Sequence, residues 1–484
     1  MGGFFVENSM ELQQVVYSVI KTQIQFGAYR FEERLPTMED SAQLFKVSIR
    51  TIRAAYQQLQ REGLITITKS IGVKVSVQYS QQQIETSIQS FFAQHIDALI
   101  DLGRSMRLLF SNAQWIGFKI ASPELLNPIQ QLTAPKESIA SYIMIRQLQD
   151  IYGALGNDLL MRLIWQVFMF FLTPFLSVPG NLVLLDQDQN PMLHMIALCR
   201  EQNWQALRAC VDAFQEQKVI AFRQFYKSQI HLPGSDQQAV FKWSAYKKAS
   251  QIYYSLSLEI LISIYQGVYP PGSLLPSLNA LAKEKNVSVN TVRRAMALLN
   301  DIGAAKSING LGTKVLPLEQ ITENCDLSQV SVQKRLLNHA KSVHILALSC
   351  RQVAEETISS LNQKTKDKWK AKLSAYAQVQ QYELASYAIV NLISQDAPYM
   401  AIRTVYTELV RILFWGYSLR GLLKDAKKHN AFYVPCVHCF LDCLERSDAA
   451  GFSYKLEELM RYEIVLIVER LVGLGIEEAA ALRI

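Results

Sequence analysis

The chain has 484 residues, too many for a single hydrophobic core, so several domains are expected. Half of the residues are hydrophobic and 19% are charged, which excludes a disordered chain and fits packed globular domains. The net charge of +7 is unevenly placed: residues 10–78 carry +3, residues 244–316 carry +5, and the remainder sums close to zero, so two short segments hold the charge a polyanion would attract.

Taken from the start, MGGFFVENSMELQQ has no basic stretch ahead of its short apolar patch, which argues against a secretory signal. Val6 stands where myristoylation of Gly2 would need Ser or Thr. Val15, Val16, Val19, Ile20 and Ile24 then recur at helical spacing and stop at Gly27, a natural helix terminator. Thr37 can cap a short second helix running to Leu44, with Glu39 and Asp40 in its first turn. Ser48 can cap a third helix to Glu62, ended by Gly63. Leu64–Thr68 and Val73–Val77 alternate like strands around Lys69-Ser70-Ile71-Gly72, a hairpin.

The same order returns later. Shifting the chain by 240 residues aligns Ile20, Ile24 and Gly27 with Ile260, Ile264 and Gly267, and Leu35-Pro36 with Leu275-Pro276. The run Val47 to Arg53 meets Val287 to Arg293, and Leu59, Gly63, Gly72, Lys74 and Val75 meet Leu299, Gly303, Gly312, Lys314 and Val315. Ser277 and Ser288 repeat the caps, and Asn309-Gly310-Leu311-Gly312 repeats the turn. Residues with structural jobs are the ones that match, which points to an internal duplication. Helix, helix, helix and hairpin in that order make a winged helix-turn-helix, whose third helix can enter a major groove.

The pattern Tyr269-Pro270-Pro271-Gly272-Ser273-Leu274-Leu275-Pro276-Ser277, then Val287 to Arg293, then Gly310-Leu311-Gly312-Thr313-Lys314-Val315, resembles the N-terminal domain of the GntR family of bacterial transcription regulators. The resemblance covers about 70 residues in each copy and implies binding to double-stranded DNA. It places Arg50, Thr51 and Arg53 in the first copy, and Asn290, Thr291, Arg293 and Arg294 in the second, near the start of the recognition helix. Arg50 would favour guanine and Asn290 adenine, so the two half-sites should differ, while Thr51 suits a phosphate or a thymine methyl. Thr37, Ser48, Ser277 and Ser288 join them at helix starts. Gly72, Lys74, Gly310, Gly312 and Lys314 form the wing contacts. Glu39 and Asn279 stand where many family members carry Arg, and the first wing reads Ser70-Ile71-Gly72-Val73, without the first Gly and the Thr.

Residues 84–230 and 325–480 read as mostly helical, for example Phe91–Ile120 and the stretch from Glu356 onward. The apolar stretch Leu159–Val178 is interrupted by Arg162, Gln166, Thr173 and Pro174, and reads as a buried bundle helix rather than a membrane span. His231 to Asp236 reads as a linker. Glu201 to Leu207 is similar to Arg446 to Phe452, a polar turn between two helices, as in the all-helical effector domains of one GntR subfamily. Such domains often hold a metal through three His and an Asp. His95, His194, His231, His339, His344, His429 and His438 are too scattered for that set, so no metal or cofactor is expected. Trp115, Tyr152, Trp165 and Phe168 could line a small-molecule pocket, though core is the simpler role for each. Cys436, Cys439 and Cys443 share one helix face, which suits core packing more than ligation or oxidant sensing. Seven cysteines without framework spacing fit a reducing compartment.

The expected architecture is mostly α, with two winged helix-turn-helix domains (1–79 and 244–318), each followed by an all-helical effector or dimerisation bundle (80–232 and 319–484). The expected function is a cytoplasmic, sequence-specific transcriptional regulator, not an enzyme and not membrane-bound, answering a small-molecule effector. Two reading heads in one chain would form a pseudo-dimer, with a further homodimer open. The alternative is a winged-helix interaction or dimerisation scaffold with little DNA binding.

Overall fold

The structure is a computed structural model that describes residues 4–45, 47–68, 72–122, 124–127, 137–185, 191–244, 248–265, 267–317, 327, 329–378, 380–416, 419, 426–482 and 484. The chain divides into two compact units, one of residues 1–242 with 399–401 and one of residues 243–398 with 402–484.

The first unit opens with α1 (Phe4–Gln25), α2 (Met38–Phe45) and α3 (Ile49–Arg61), followed by strands β1 (Ile65–Thr68) and β2 (Gly72–Val75). Val15, Val16, Val19, Ile20 and Ile24 of α1 are buried, and α1 and α2 both pack on α3. The strands are antiparallel, with Ile65 opposite Val75 and Thr68 opposite Gly72. They are shorter than the alternation suggested, because Leu64 still closes α3 by bonding its N–H to Leu59 O at 3.0 Å. The turn residues 69–71, where the first wing departs from the family pattern, lie outside the described residues.

Next comes α4 (Gln81–Ile120), started by a capping box in which Ser80 and Gln83 satisfy each other's backbone N–H groups. It is followed by α5 (Glu137–Gly153) and α6 (Asp158–Val167), which runs through a π turn (Phe168–Leu172) into Thr173–Leu176. The segments α7 (Asn181–Leu185), α8 (Pro191–Arg200) and α9 (Trp204–Gln229) complete the unit. The backbones of α4 and α5 approach closely at Gly117, where a Cβ would overlap the Ile151 carbonyl. Phe92, Phe171, Phe175, Phe222 and Phe225 fill the space between α4, α6 and α9. Asp158–Leu176 is long and apolar enough to cross a membrane, but 78% of that window is buried inside the protein, as a bundle helix requires. The first head rests on this bundle through Phe26, whose ring meets Phe91 and Phe92 at 5.8 and 6.2 Å. The linker is tethered: Gln89 accepts from the N–H groups of His231 and Leu232, and Ala93 O accepts from Ser235 N.

The second unit repeats the head as α10 (Lys248–Tyr265), α11 (Leu278–Glu284), α12 (Val289–Asp301), β3 (Ala305–Ile308) and β4 (Gly312–Val315). Its helical region holds α13 (Val330–Ser360), α14 (Gln363–Gln378), α15 (Ala385–Asp396), α16 (Met400–Leu413), α17 (Ala426–Arg446) and α18 (Ala449–Gly473). Its core is the packing of α13 on α18, with the rings of Trp369, Phe440 and Phe452 packed at a tilt to one another.

The two similar helix-to-helix turns are built alike. Gln202 and Ser447 take φ of 55° and 56°, and the next residue caps the following helix, Asn203 to Ala206 N and Asp448 to Gly451 N. Of the aromatics considered for a pocket, Tyr152, Trp165 and Phe168 are buried, as the simpler core role expects, and the partly buried Trp115 donates its indole N–H to Trp204 O. Cys436 and Cys443 are buried as well, their thiols pushed up to about 11 and about 12 chiefly by burial, which disfavours thiolate chemistry.

Candidate nucleic-acid interface

The interface is assembled around α3 and α12, two 13-residue helices with one apolar and one polar face. Ile52, Ala55, Tyr56 and Leu59 of α3 are buried, as are Val292, Ala295, Met296 and Leu299 of α12. That spacing turns Arg50 and Arg53 outward on α3, and Asn290, Arg293 and Arg294 outward on α12, all exposed.

The starts of the helices are fixed in the same way in both heads. Ser48 Oγ accepts from Thr51 N at 3.1 Å, and Ser288 Oγ accepts from Thr291 N at 3.1 Å. Each cap hydroxyl also pairs with the threonine hydroxyl, at 2.9 Å for Ser48–Thr51 and 2.8 Å for Ser288–Thr291. This changes the expected part of Thr51. It is buried, with its hydroxyl turned to the cap, so it shapes the helix start rather than standing on the outward face. Thr37 and Ser277 cap the second helices in turn, accepting from Asp40 N and Ala280 N. The orientation of α3 is pinned by Tyr56, whose hydroxyl pairs with Ser41 and donates to Pro36 O. At its far end, Glu62 takes bonds from Tyr17 and Lys21, which hold its carboxyl below the usual range.

The wings differ. In the second head, Asn309-Gly310-Leu311 turns the hairpin, with Gly310 at φ 77° and Gly312 at φ 119°, conformations open to glycine. Asn300 of α12 clamps this wing, accepting from Ser307 N at 3.0 Å and donating to Ser307 Oγ at 2.9 Å. A groove of about 610 Å3 lies between α12 and the wing, with Arg293 on its wall. Lys314 has no carboxylate partner among the described residues, and Arg294 stands 5.8 Å from the Tyr253 ring.

In the first head, Gly72 has φ 93°, and Lys74 is ion-paired with Glu32 at 2.7 Å. Glu32 itself takes φ 64°, in the left-handed region, where the second head has Gly272 at φ 87°. The expected set therefore gathers into two outward faces, Arg50 with Arg53 and Asn290 with Arg293 and Arg294, and each head also carries a wing lysine. The Glu32–Lys74 pair and the Asn300 clamp are additions that single-residue motifs do not reveal. The 240-residue register does place Glu32 opposite Gly272, and that mismatch is the available signal.

Residues 12–75 and 252–315 each match the family model described as bacterial regulatory proteins, gntR family. No curated protein sequence matches the chain. Among solved structures, the chain is similar to the Streptococcus agalactiae GntR (14% identity, 44% of this chain and 99% of that one, TM-score 0.21). It is similar also to a putative transcriptional regulator GntR from Rhodococcus sp. RHA1 (17% identity, 46% and 97%, TM-score 0.24) and to E. coli McbR/YncC (16% identity, 45% and 98%, TM-score 0.23).

Proposed function

From a chain that carries two gntR-family domains, and is thereby a DNA-binding transcription regulator, we propose a reader of an asymmetric pair of half-sites that answers a small-molecule effector. The observation that carries this reading is the duplication of the head, with an exposed basic or amide face on each recognition helix. Arg50 and Arg53 would read guanine edges in one half-site, and Asn290 and Arg293 would read adenine and guanine in the other. Arg294 and the helix starts capped by Thr37, Ser48, Ser277 and Ser288, with Thr291 beside them, would meet phosphates, while Thr51 would shape its helix start from within. Lys74 and Lys314, on hairpins shaped by Gly72, Gly310 and Gly312, would follow the backbone or minor groove.

In this reading the chain has four domains, 1–79, 80–232, 244–318 and 319–484, and works in the cytoplasm without a catalytic role. Two heads in one chain act as a pseudo-dimer, and the helical domains bias them through the effector.

The test is binding of the intact chain to random-sequence duplex DNA, at salt concentrations of about 50 and 200 mM. Salt-sensitive binding and enrichment of a non-palindromic pair of half-sites is the expected result. Absence of salt-sensitive binding would leave the winged helices as protein-interaction modules and remove this reading.

A further inference from the structure

The second helical region holds a partly open cavity of about 170 Å3 among α13, the turn Tyr382–Leu384, α15, the turn Phe414–Gly416, α17 and α18. Leu384, Tyr387, Phe414, Met460 and Ile467 give it apolar walls. Among the described residues, its polar groups point to one chemistry.

The first is His339. Its ring bonds the Leu413 carbonyl, while Nδ1 is buried and has no hydrogen-bond partner among the described residues. The bond to Leu413 therefore runs from Nε2–H, which leaves Nδ1 as a lone-pair acceptor awaiting a donor. Burial keeps this ring neutral, with its pKa pushed down to about 4. The ring's place is set by the backbone, since a Cβ on Gly416 would overlap it. The second group is acidic: Glu383 and Glu463 line the same walls as Arg470, so the described lining residues carry a formal excess of one negative charge. Tyr433 adds a hydroxyl bonded to Glu463, its pKa raised mainly by burial and then by the nearby acids. The size is the third constraint, because an apolar cavity of roughly 150 Å3 holds a benzene-sized body.

We infer that this cavity is the effector site of the chain and takes a small amphipathic amine, with a ring-sized apolar body and a protonated amino head. The head donates to the glutamate carboxylates and to Nδ1 of His339, and its charge cancels the acidic excess. A carboxylate ligand would add a second negative charge and offer His339 no donor. This assignment rests on the regulator reading proposed above.

A physical route from the cavity to the second head exists within the same unit. Phe414 and Gly416 line the cavity, while Trp415 between them is fully buried and meets the Tyr254 ring of α10 at 5.9 Å. The Arg335 guanidinium of α13 stands 5.2 Å from the Trp415 ring and 5.9 Å from the Tyr254 ring. Its Nη1 is 3.7 Å from Asp301, the last residue of the recognition helix α12. Arg335 is only 5% exposed, and its Nε and Nη1 make no hydrogen bond. A buried cation held by two ring faces and one distant carboxylate responds to small shifts of either ring. An occupant pressing on Phe414 moves Trp415, and with it the ion pair that holds the end of α12.

Calorimetric titration of the intact chain with 2-phenylethylamine, and separately with phenylacetate, tests the site without DNA. The amine is expected to bind at least about tenfold more tightly than the acid, and Glu463→Gln to weaken it by about tenfold, as loss of a charge-assisted bond predicts. His339→Phe should weaken it too, and Glu383→Gln gives a second reading if that variant fails to fold. Equal binding of amine and acid, no binding of either, or undiminished binding by Glu463→Gln overturns the site. On DNA selected from a random pool, the amine should shift the affinity of the native chain but not of Arg335→Met, which still binds the amine. Amine binding with unchanged DNA affinity overturns the effector role. Failure of the ligand-free chain to bind DNA would instead be failure of the regulator reading, and would leave the calorimetric result standing.

Discussion

The two heads cap their recognition helices with hydrogen bonds of matching length and differ in the charges they turn outward. Ser48 and Ser288 cap with the same 3.1 Å bond, and Gly63 and Gly303 end the recognition helices at φ 74° and 72°. At the wing the match ends: Glu32 occupies Lys74, whereas Gly272 leaves Lys314 without an acid beside it. The lesson is physical. Caps and left-handed glycines are needed by the fold whatever the head does, while an outward charge costs the fold little and is set by what the head must meet. The helical regions diverge too. In the first unit the cavity beside Lys218 is only about 20 Å3, and in the second the space near His339 is about 170 Å3.

The largest expected effect sharpens that contrast between interiors. Lys218 is 3% exposed, bonded to Gln215 at 3.0 Å and lying 4.4 Å from the Phe214 ring, with no carboxylate partner among the described residues. Burial pushes its pKa down to about 7. Between that value and its unfolded value near 10.5 the unfolded chain holds more protons, so the native chain gains stability as pH rises through this window. Below about 7 the burial penalty is fully present. Lys218→Met should therefore stabilise the first unit by roughly 3 kcal/mol near neutral pH and flatten the rise between pH 7 and 9, read by thermal unfolding. A loss of stability, or an unchanged pH slope, would show that the lysine is held by more than burial and two neighbours.

Charge reversal tests the heads directly. Arg293→Glu in the second head should weaken binding to the selected DNA by about 2 kcal/mol, and Arg53→Glu should cost less, because the first head has its wing lysine engaged. Equal losses would mean that the Glu32–Lys74 pair does not weaken the first head. Removing the caps should do the opposite and erase the contrast. Ser48→Ala and Ser288→Ala are each expected to cost about 1 kcal/mol of stability, since each removes the side-chain acceptor of the threonine N–H at the same helix position.

How far this was legible in sequence follows from which interactions are local. The caps, the helix ends and both hairpins could be placed because Ser48, Ser288, Gly63, Gly303 and Gly312 act within a turn of themselves. The outward residues of the recognition helices were placed by the resemblance to the GntR family, and the spacing of the buried residues agrees with it. Thr51 was misplaced because its hydroxyl has a choice between outward contact and its own cap, and only packing decides it. The Glu32–Lys74 pair spans 42 residues and the His339 cavity joins segments from 339 to 470, so neither leaves a local trace. Of the aromatics of the first bundle, Tyr152 lines only a cavity of about 20 Å3, and the larger space, about 170 Å3, lies in the second unit.

The smallest effect bears most directly on the inequality of the heads. Glu32→Gly would give the first wing the residue that the second already has. Two stability changes nearly cancel: relief of a non-glycine residue at φ 64° gains up to about 1 kcal/mol, and loss of a half-exposed ion pair costs up to about 1 kcal/mol. DNA binding has no such cancellation, because Lys74 is released and an acid is removed from the same surface. The expected outcome is an unchanged melting temperature, a severalfold gain in affinity at low salt, and a salt dependence steeper by about one phosphate contact. The reverse exchange, Gly272→Glu, should lower affinity and flatten the slope, at some cost in stability from its own φ of 87°. If both variants bind DNA like the native chain, the wings carry no part of the difference, and the asymmetry must lie in Arg50 against Asn290 on the recognition helices.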